Sequence, residues 1–318
     1  MSVSSGSSRK VISLGKASYA IILPKEWVMT QHIKKGSSIL LFPQRNGQII
    51  IQTSHTPKRR VILDAEKFDE EMLEAAIQSA YILNVDETIV KFRDSGNLQD
   101  KMNHLVEISK KFAGMNLTFS GTYEVVITNL VNMQKLKVKD IFDQMLSILF
   151  LLLDQIDQKD YSRDNSSHMV QMEAKYRLGV RLLIFALHNQ HLEFEVGMND
   201  IIQVLGSRIA LRAMRSLIVQ LNNIIPYLKT VEIPNLSLIF KYYRKLTQQV
   251  VKCLYETEIY SITQISEFWN ELKTQVDKID DRAGTVRNFF NNYFEIIRTF
   301  KEVVVTRHVE RLEEPLEG

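Results

Sequence analysis

Residues 9–52 carry the pattern that most restricts the fold, because short apolar strands alternate there with turns. Val11–Leu14 and Tyr19–Leu23 alternate in side-chain character on either side of a glycine-containing loop. A helical turn follows, and Asn46-Gly47 then joins two further apolar runs as a hairpin turn. Four strands and one helical turn in about 45 residues bury little core by themselves. The segment therefore predicts an obligate dimer.

The positive charge of the chain is concentrated at its N-terminal end. Residues 1–60 contain ten lysine and arginine residues against one acid, Glu26, whereas the other 258 residues contain 30 basic and 36 acidic side chains. This asymmetry favours contact between the N-terminal end and a polyanion. The alternative is a solvated basic face that has no partner.

The stretch RKVISLGKASYAIILPKEW, followed by IKKGSSILLFPQRNGQIIIQ, resembles the swapped-hairpin domain of the AbrB, MazE and SpoVT family. The shared features are a basic residue before a strand, a loop with Gly and Ser, an apolar strand ending in Leu-Pro-Lys, and a glycine turn before two closing strands. The resemblance implies a homodimer through residues 1–54, in which interlocked hairpins form one small barrel that binds DNA. Carried over by position, the DNA-binding residues are Arg9, Lys10, Ser13, Lys16, Ser18 and Tyr19.

Residues 59–132 follow a polar linker and predict a small α/β layer of βαβαβ order. Its first helix is expected to begin after Asp64 as a cap, and its second to end at Gly114. A single last strand is expected within MNLTFSGTYEVVITNL, where we interpret Gly121 as a bulge or bend. No glycine-rich phosphate loop interrupts the segment.

Beyond Lys137 the apolar residues recur at intervals of three or four, the period of amphipathic helices. Breaks at DQKDYSRDNSS, at NQHLEFEVGMN and between Pro226 and Pro234 separate three helices, and the rest of the chain indicates three more. Two three-helix bundles in tandem are expected over residues 133–314. The fold class is thus α+β and multidomain: a swapped-hairpin barrel, a small α/β segment and an all-α region.

This domain order resembles the archaeal phosphate-uptake regulators, which join an AbrB-like domain to a PhoU domain. PhoU domains usually bind a metal cluster through Glu-Arg-Ile-x-Asp-His and Glu-x-x-x-Asp-Arg motifs. The matching stretches here are SRIALR, residues 207–212, and EAKYR, residues 173–177. Ser207, Leu211 and Tyr176 replace three of the carboxylates, so we expect neither a metal nor another cofactor.

Other polar clusters are better explained by helix ends and turns than by metal binding. One comprises His188, His191, Glu193 and Glu195, and the other comprises Asp277, Asp280 and Asp281. No catalytic triad spacing, nucleophile elbow or phosphate loop indicates an enzyme.

Two functions fit these patterns. The first is a homodimeric, DNA-binding transcription regulator, which the PhoU resemblance connects with phosphate uptake. The second is a PhoU-like interaction module that acts on a phosphate transporter or signalling protein, with the N-terminal domain used for dimerisation or, as in MazE, to neutralise a toxin. The start MSVSSGSS lacks the features of a secretory signal, and the apolar run Met145–Leu153 is too short to cross a bilayer. A cytoplasmic location without membrane insertion is therefore expected.

Overall fold

The chain divides into two compact units, Met1–Pro57 and Lys58–Gly318. The computed structural model describes residues 8–15, 18–43, 47–53, 58–93, 98–188, 201–255, 259–280 and 283–312. Each unit has its own secondary structure and is described separately below.

The first unit contains two antiparallel hairpins and one short helix. Strands β1 (Val11–Leu14) and β2 (Ser18–Ile21) form one two-stranded sheet, and β3 (Ile39–Pro43) and β4 (Ile49–Thr53) form another. Helix α1 (Lys25–Thr30) lies between the hairpins in the chain. The strands lie where the alternation predicts them, whereas closure of the two hairpins into one barrel stays a prediction.

The second unit begins with a four-stranded mixed sheet of order β5-β6-β8-β7. Strands β5 and β6 are parallel, and β8 pairs antiparallel with both β6 and β7. Helices α2 and α3 pack on this sheet through a shared apolar core. The elements are β5 (Arg60–Asp64), α2 (Glu70–Ile82), β6 (Glu87–Lys91), α3 (Leu98–Lys110), β7 (Met115–Phe119) and β8 (Glu124–Asn129).

Two expectations for this layer are wrong. The single last strand is in fact a hairpin of β7 and β8, so the order is βαβαββ. Gly121 adopts a φ of 82° in the turn of this hairpin, a conformation that glycine reaches without steric cost. Asp64 ends β5 and precedes a 3-10 turn at Ala65–Lys67. The cap of α2 is Asp69, whose side chain accepts a hydrogen bond from the Met72 amide at 2.7 Å.

Helices occupy most of the remaining chain, as the helical period predicts. They are α4 (Val138–Asp157), α5 (Ser166–His188), α6 (Ile201–Leu228), α7 (Leu236–Cys253), α8 (Ile259–Val276) and α9 (Gly284–Leu312). Pro226 does not end α6, which continues to Leu228. Because proline has no backbone N–H, α6 lacks the hydrogen bond that residue 226 would otherwise donate to the carbonyl oxygen four positions earlier.

A single continuous apolar core joins these helices. Helices α4, α5 and α6 pack against one another, and so do α7, α8 and α9. Helix α6 also packs closely along α9, and α4 contacts α7, so apolar side chains are shared between the two groups. Division into two PhoU-like bundles stays a prediction. Within the described residues, no helix is both long and apolar enough to cross a membrane.

Arg181 attaches the α/β layer to the helical region. This arginine on α5 is buried, and its Nη1 donates to the Tyr81 carbonyl oxygen at 2.7 Å. Its guanidinium carbon lies 4.6 Å from the centre of the Tyr81 ring. The Asn84 side chain donates in return to the Arg181 carbonyl oxygen at 2.8 Å. Burial lowers the pKa of Arg181, and these contacts compensate for part of the lost hydration.

Candidate nucleic-acid interface

The β1–β2 hairpin presents three of the six residues that the sequence assigns to DNA, Ser13, Ser18 and Tyr19. Ser13 is the direct cross-strand partner of Tyr19, so these two side chains share one face of the hairpin. Ser18 pairs with Leu14, one position further along the ladder, and therefore lies on the opposite face. Only two of the three small or aromatic candidates are thus brought together within one protomer.

The turn of this hairpin has a backbone that favours glycine. Gly15 has a φ of 75°, and the Ser13 hydroxyl donates to the Gly15 carbonyl oxygen at 3.1 Å. A β-carbon added at Gly15 would meet no atom within 4 Å, so the backbone conformation alone explains the glycine. The predicted contact Lys16 lies outside the described residues.

Arg9 and Lys10 directly precede β1, and both side chains are exposed. Their position at the entrance to the hairpin leaves both cations available to a large anionic ligand. Contact of these residues, or of Ser13, Ser18 and Tyr19, with DNA stays a prediction.

The first unit has no buried residue among those described, although its strands are rich in apolar side chains. Val11 is 63% exposed, Leu14 61%, Leu41 61% and Ile49 62%. A two-stranded hairpin is at best marginally stable when nothing covers its apolar face. The described part of this unit therefore lacks a core of its own, as its shortness predicts.

The stretches that match the PhoU metal motifs hold quite different chemistry in this chain. Ser207 is fully buried and its hydroxyl accepts a hydrogen bond from Arg307, while Leu211 belongs to the helical core. Tyr176 lies between two arginines of α6, Arg208 and Arg215. The prediction that no metal binds here rests only on the missing carboxylates of these motifs. The lack of any acidic residue in α6 is a further sequence feature that indicates a positively charged helix.

The other polar clusters fall partly outside the described residues. His188 is the last residue of α5, while His191, Glu193 and Glu195 are not described. Asp277 and Asp280 lie beyond the end of α8, and Asp281 is not described. Among the described residues, no three histidine, cysteine or acidic side chains are grouped so as to hold a metal.

Comparison with known proteins identifies one similarity. Residues 12–63 match the family described as antidote-toxin recognition MazE, bacterial antitoxin. No curated protein and no solved structure matches the chain. The N-terminal part of the expected resemblance is therefore confirmed, while the fusion to a PhoU domain stays a prediction. The matched region extends past residue 54 and includes all of β5 except its last residue, and β5 pairs with β6 in the second unit.

Proposed function

We propose that this protein is a homodimeric DNA-binding transcription regulator whose N-terminal hairpins bind the operator. The observation that carries the proposal is that the first unit, which contains most of the segment matching MazE, has no buried residue among those described and has two exposed cations before its first hairpin. Pairing two copies would cover the apolar strands and present each cation twice. The chain acts by binding in this proposal and has no catalytic role.

Dimerisation is tested by the mass of the full-length chain in solution. Light scattering is expected to give twice the 36.9 kDa of one chain. Leu41→Asp places a charge on a strand residue that is 61% exposed in the protomer, so it is expected to yield monomers in which the second unit, with its own core, stays folded. Ile209→Asp is the matched control, since Ile209 is a 48% exposed residue of α6, outside the hairpins. A Leu41→Asp variant that remains dimeric would contradict the proposed interface.

DNA binding is tested by fluorescence anisotropy on fragments of the gene's own promoter at several salt concentrations. Each phosphate contact contributes about −0.9 to the log–log salt slope, so losing one lysine contact per subunit is expected to reduce the slope by about 2. Lys10→Ala is expected to show this loss, and Arg9→Ala is expected to reduce sequence preference as well, because arginine can bind guanine through two hydrogen bonds. Lys35→Ala is the control, since Lys35 is exposed in the same unit but lies outside the predicted set.

Absence of DNA binding with a Kd below about 10 µM at low salt would contradict the regulator. If Lys35→Ala reduced the salt slope as much as Lys10→Ala, DNA binding would depend on the general positive charge of the unit and not on the predicted residues. A dimer that binds no DNA would support the second candidate, an antitoxin, which the description of the matching MazE family favours.

The regulated pathway is proposed to be phosphate uptake, with a phosphate transporter or signalling protein as a further partner. The support for this part is the order of domains alone. Transcript levels of phosphate-transport genes in a deletion strain, grown with high and low phosphate, test it. Unchanged levels would contradict it without affecting the DNA-binding proposal. A cytoplasmic location stays a prediction.

A further inference from the structure

Helices α5 and α6 carry an excess of positive charge. Together they contain six arginine and lysine residues and one acid, Glu173, and α6 has no acidic residue along its 28 positions. The rest of the chain beyond residue 60 is predominantly acidic, so this excess is local. The six cations are Lys175, Arg177, Arg181, Arg208, Arg212 and Arg215.

Three of these cations lie on one side of α6, because they are four and three residues apart. The guanidinium carbons of Arg208 and Arg215 each lie 5.4 Å from the ring centre of Tyr176 on α5. Arg208 Nη1 donates to the Tyr176 phenol oxygen at 2.8 Å. Arg212 lies between the two in the helix and is exposed. We name these four residues the arginine–tyrosine cluster.

Glu173 neutralises only one of the three arginines. Arg215 Nε donates to the Glu173 carboxylate at 2.6 Å, and Nη2 of Arg215 lies 2.5 Å from the same oxygen. Arg208 and Arg212 have no ion-pair partner among the described residues. Like charges four residues apart on a helix destabilise it by a few tenths of a kcal/mol, so the arrangement is unfavourable unless an anion is bound.

The cluster also retains the donors that an oxyanion needs. Arg208 uses one nitrogen for Tyr176, which leaves Nε and Nη2 for two parallel hydrogen bonds to one oxyanion group. Tyr176 accepts from Arg208, so its own hydroxyl proton remains available for donation. Arg212 offers all five of its N–H groups.

We propose that the arginine–tyrosine cluster is a binding site for an oligophosphate anion, a small molecule with two or more linked phosphate groups. Arg208 and Arg212 lie four residues apart on α6, so their β-carbons are about 5–6 Å apart and their long side chains can reach separate phosphate groups. Linked phosphates can contact arginines across such a span, whereas a single phosphate engages one end of it. Guanidinium groups match the planar, two-oxygen edge of a phosphate.

The site is independent of the proposed DNA-binding role. The experiment is isothermal titration of the full-length protein with inorganic pyrophosphate, and with sulfate and citrate as comparison anions. Pyrophosphate is expected to bind to one site per chain. Losing a charge-assisted, two-bond contact is expected to weaken binding roughly tenfold to a hundredfold in Arg208→Gln and in Arg212→Gln.

Two controls locate the bound anion. Arg298→Gln removes an exposed arginine of α9 that pairs with Glu295 at 2.9 Å, and it is expected to leave the affinity unchanged. The Arg9→Ala, Lys10→Ala double variant, which impairs the proposed DNA interface, is also expected to bind pyrophosphate normally. Because Arg208 and Arg212 are not in the core, circular dichroism is expected to show folded variants.

Several outcomes would overturn the proposal. Equal affinity for sulfate or citrate would show a general anion site, and binding that survives both Arg208→Gln and Arg212→Gln would place the anion elsewhere. Loss of binding in the N-terminal double variant would assign pyrophosphate to the DNA interface. Loss in Arg298→Gln would assign it to the groove between α8 and α9 that Ser266, Trp269 and Arg298 line.

Discussion

Two stacked tyrosines in the helical core are expected to respond in opposite directions to the same substitution. Tyr243 on α7 and Tyr293 on α9 are both fully buried, with ring centres 4.0 Å apart. The Tyr293 hydroxyl donates to the Tyr243 carbonyl oxygen at 3.2 Å and lies 3.0 Å from the Thr247 hydroxyl. The Tyr243 hydroxyl has no hydrogen-bond partner among the described residues.

The expected magnitudes follow from this difference. Tyr243→Phe removes a buried hydroxyl that has lost its hydration without gaining a partner, a condition that costs roughly 1–3 kcal/mol. The substitution is expected to raise the free energy of unfolding by about 1 kcal/mol, because the phenylalanine ring retains the packing. Tyr293→Phe removes a hydroxyl that is hydrogen-bonded and is expected to lower the free energy of unfolding by about 1 kcal/mol. Thr247 is not left unpaired, since its hydroxyl also donates to the Tyr243 carbonyl oxygen at 2.9 Å.

The measurement is urea denaturation of the full-length protein, with the melting temperature as a second readout. For a folded unit of this size, 1 kcal/mol corresponds to about 2–4 °C. Tyr227→Phe is the control, because Tyr227 on α6 is 54% exposed and is expected to change stability by less than about 0.5 kcal/mol. Destabilisation of similar size in Tyr243→Phe and Tyr293→Phe would refute the reasoning, since it would show that the Tyr243 hydroxyl has a partner such as an ordered water.

Two further predictions concern pH and close packing. Burial raises the pKa of Tyr81 from 10 to about 12. Above pH 10 the unfolded chain therefore releases a proton that the folded chain keeps, so the free energy of unfolding should fall between pH 10 and about pH 12. In Tyr81→Phe, the fall of the unfolding free energy with pH, measured by urea denaturation, should be less steep by up to about 1.4 kcal/mol per pH unit. An unchanged slope would contradict this assignment. Gly179→Ala should lower stability, because the new β-carbon would lie 2.9 Å from Leu211 Cδ1 and 3.1 Å from Ile141 Cγ2. Such overpacking costs about 1–3 kcal/mol, whereas the better helix propensity of alanine contributes up to about 1 kcal/mol. An unchanged or higher urea midpoint would show that α5 can move away from Leu211 and Ile141.

Local patterns in the sequence determined where most strands and helices lie. The β1–β2 hairpin follows from alternation around a glycine that adopts positive φ, and α4 to α9 follow from apolar residues recurring every three or four positions. These features depend on neighbours in the chain, so they can be read without knowing the fold. The same local information placed Ser13 and Tyr19 in adjacent strands, and the hairpin register then made them partners.

Turn geometry was less accessible from the sequence. The stretch around Gly121 is compatible with a bend within one strand or with a turn between two strands. In the structure it is a turn, because β7 pairs antiparallel with β8. The order β5-β6-β8-β7 depends on which strands find partners across the sheet. Such pairings join residues far apart in the chain, and no local propensity encodes them.

Only the tertiary structure decided the role of the charged residues in the helices. Arg181 and Arg307 belong to the same residue type as the exposed Arg212, yet both are buried, because the elements packed around them supply carbonyl oxygens as hydrogen-bond acceptors. The arginine–tyrosine cluster joins residues 32 positions apart. Near the cluster α5 and α6 lie close together, since a β-carbon added at Gly179 would lie 2.9 Å from Leu211 Cδ1. The sequence determined that these cations exist, and the packing of two helices determined that two of them lie against one tyrosine.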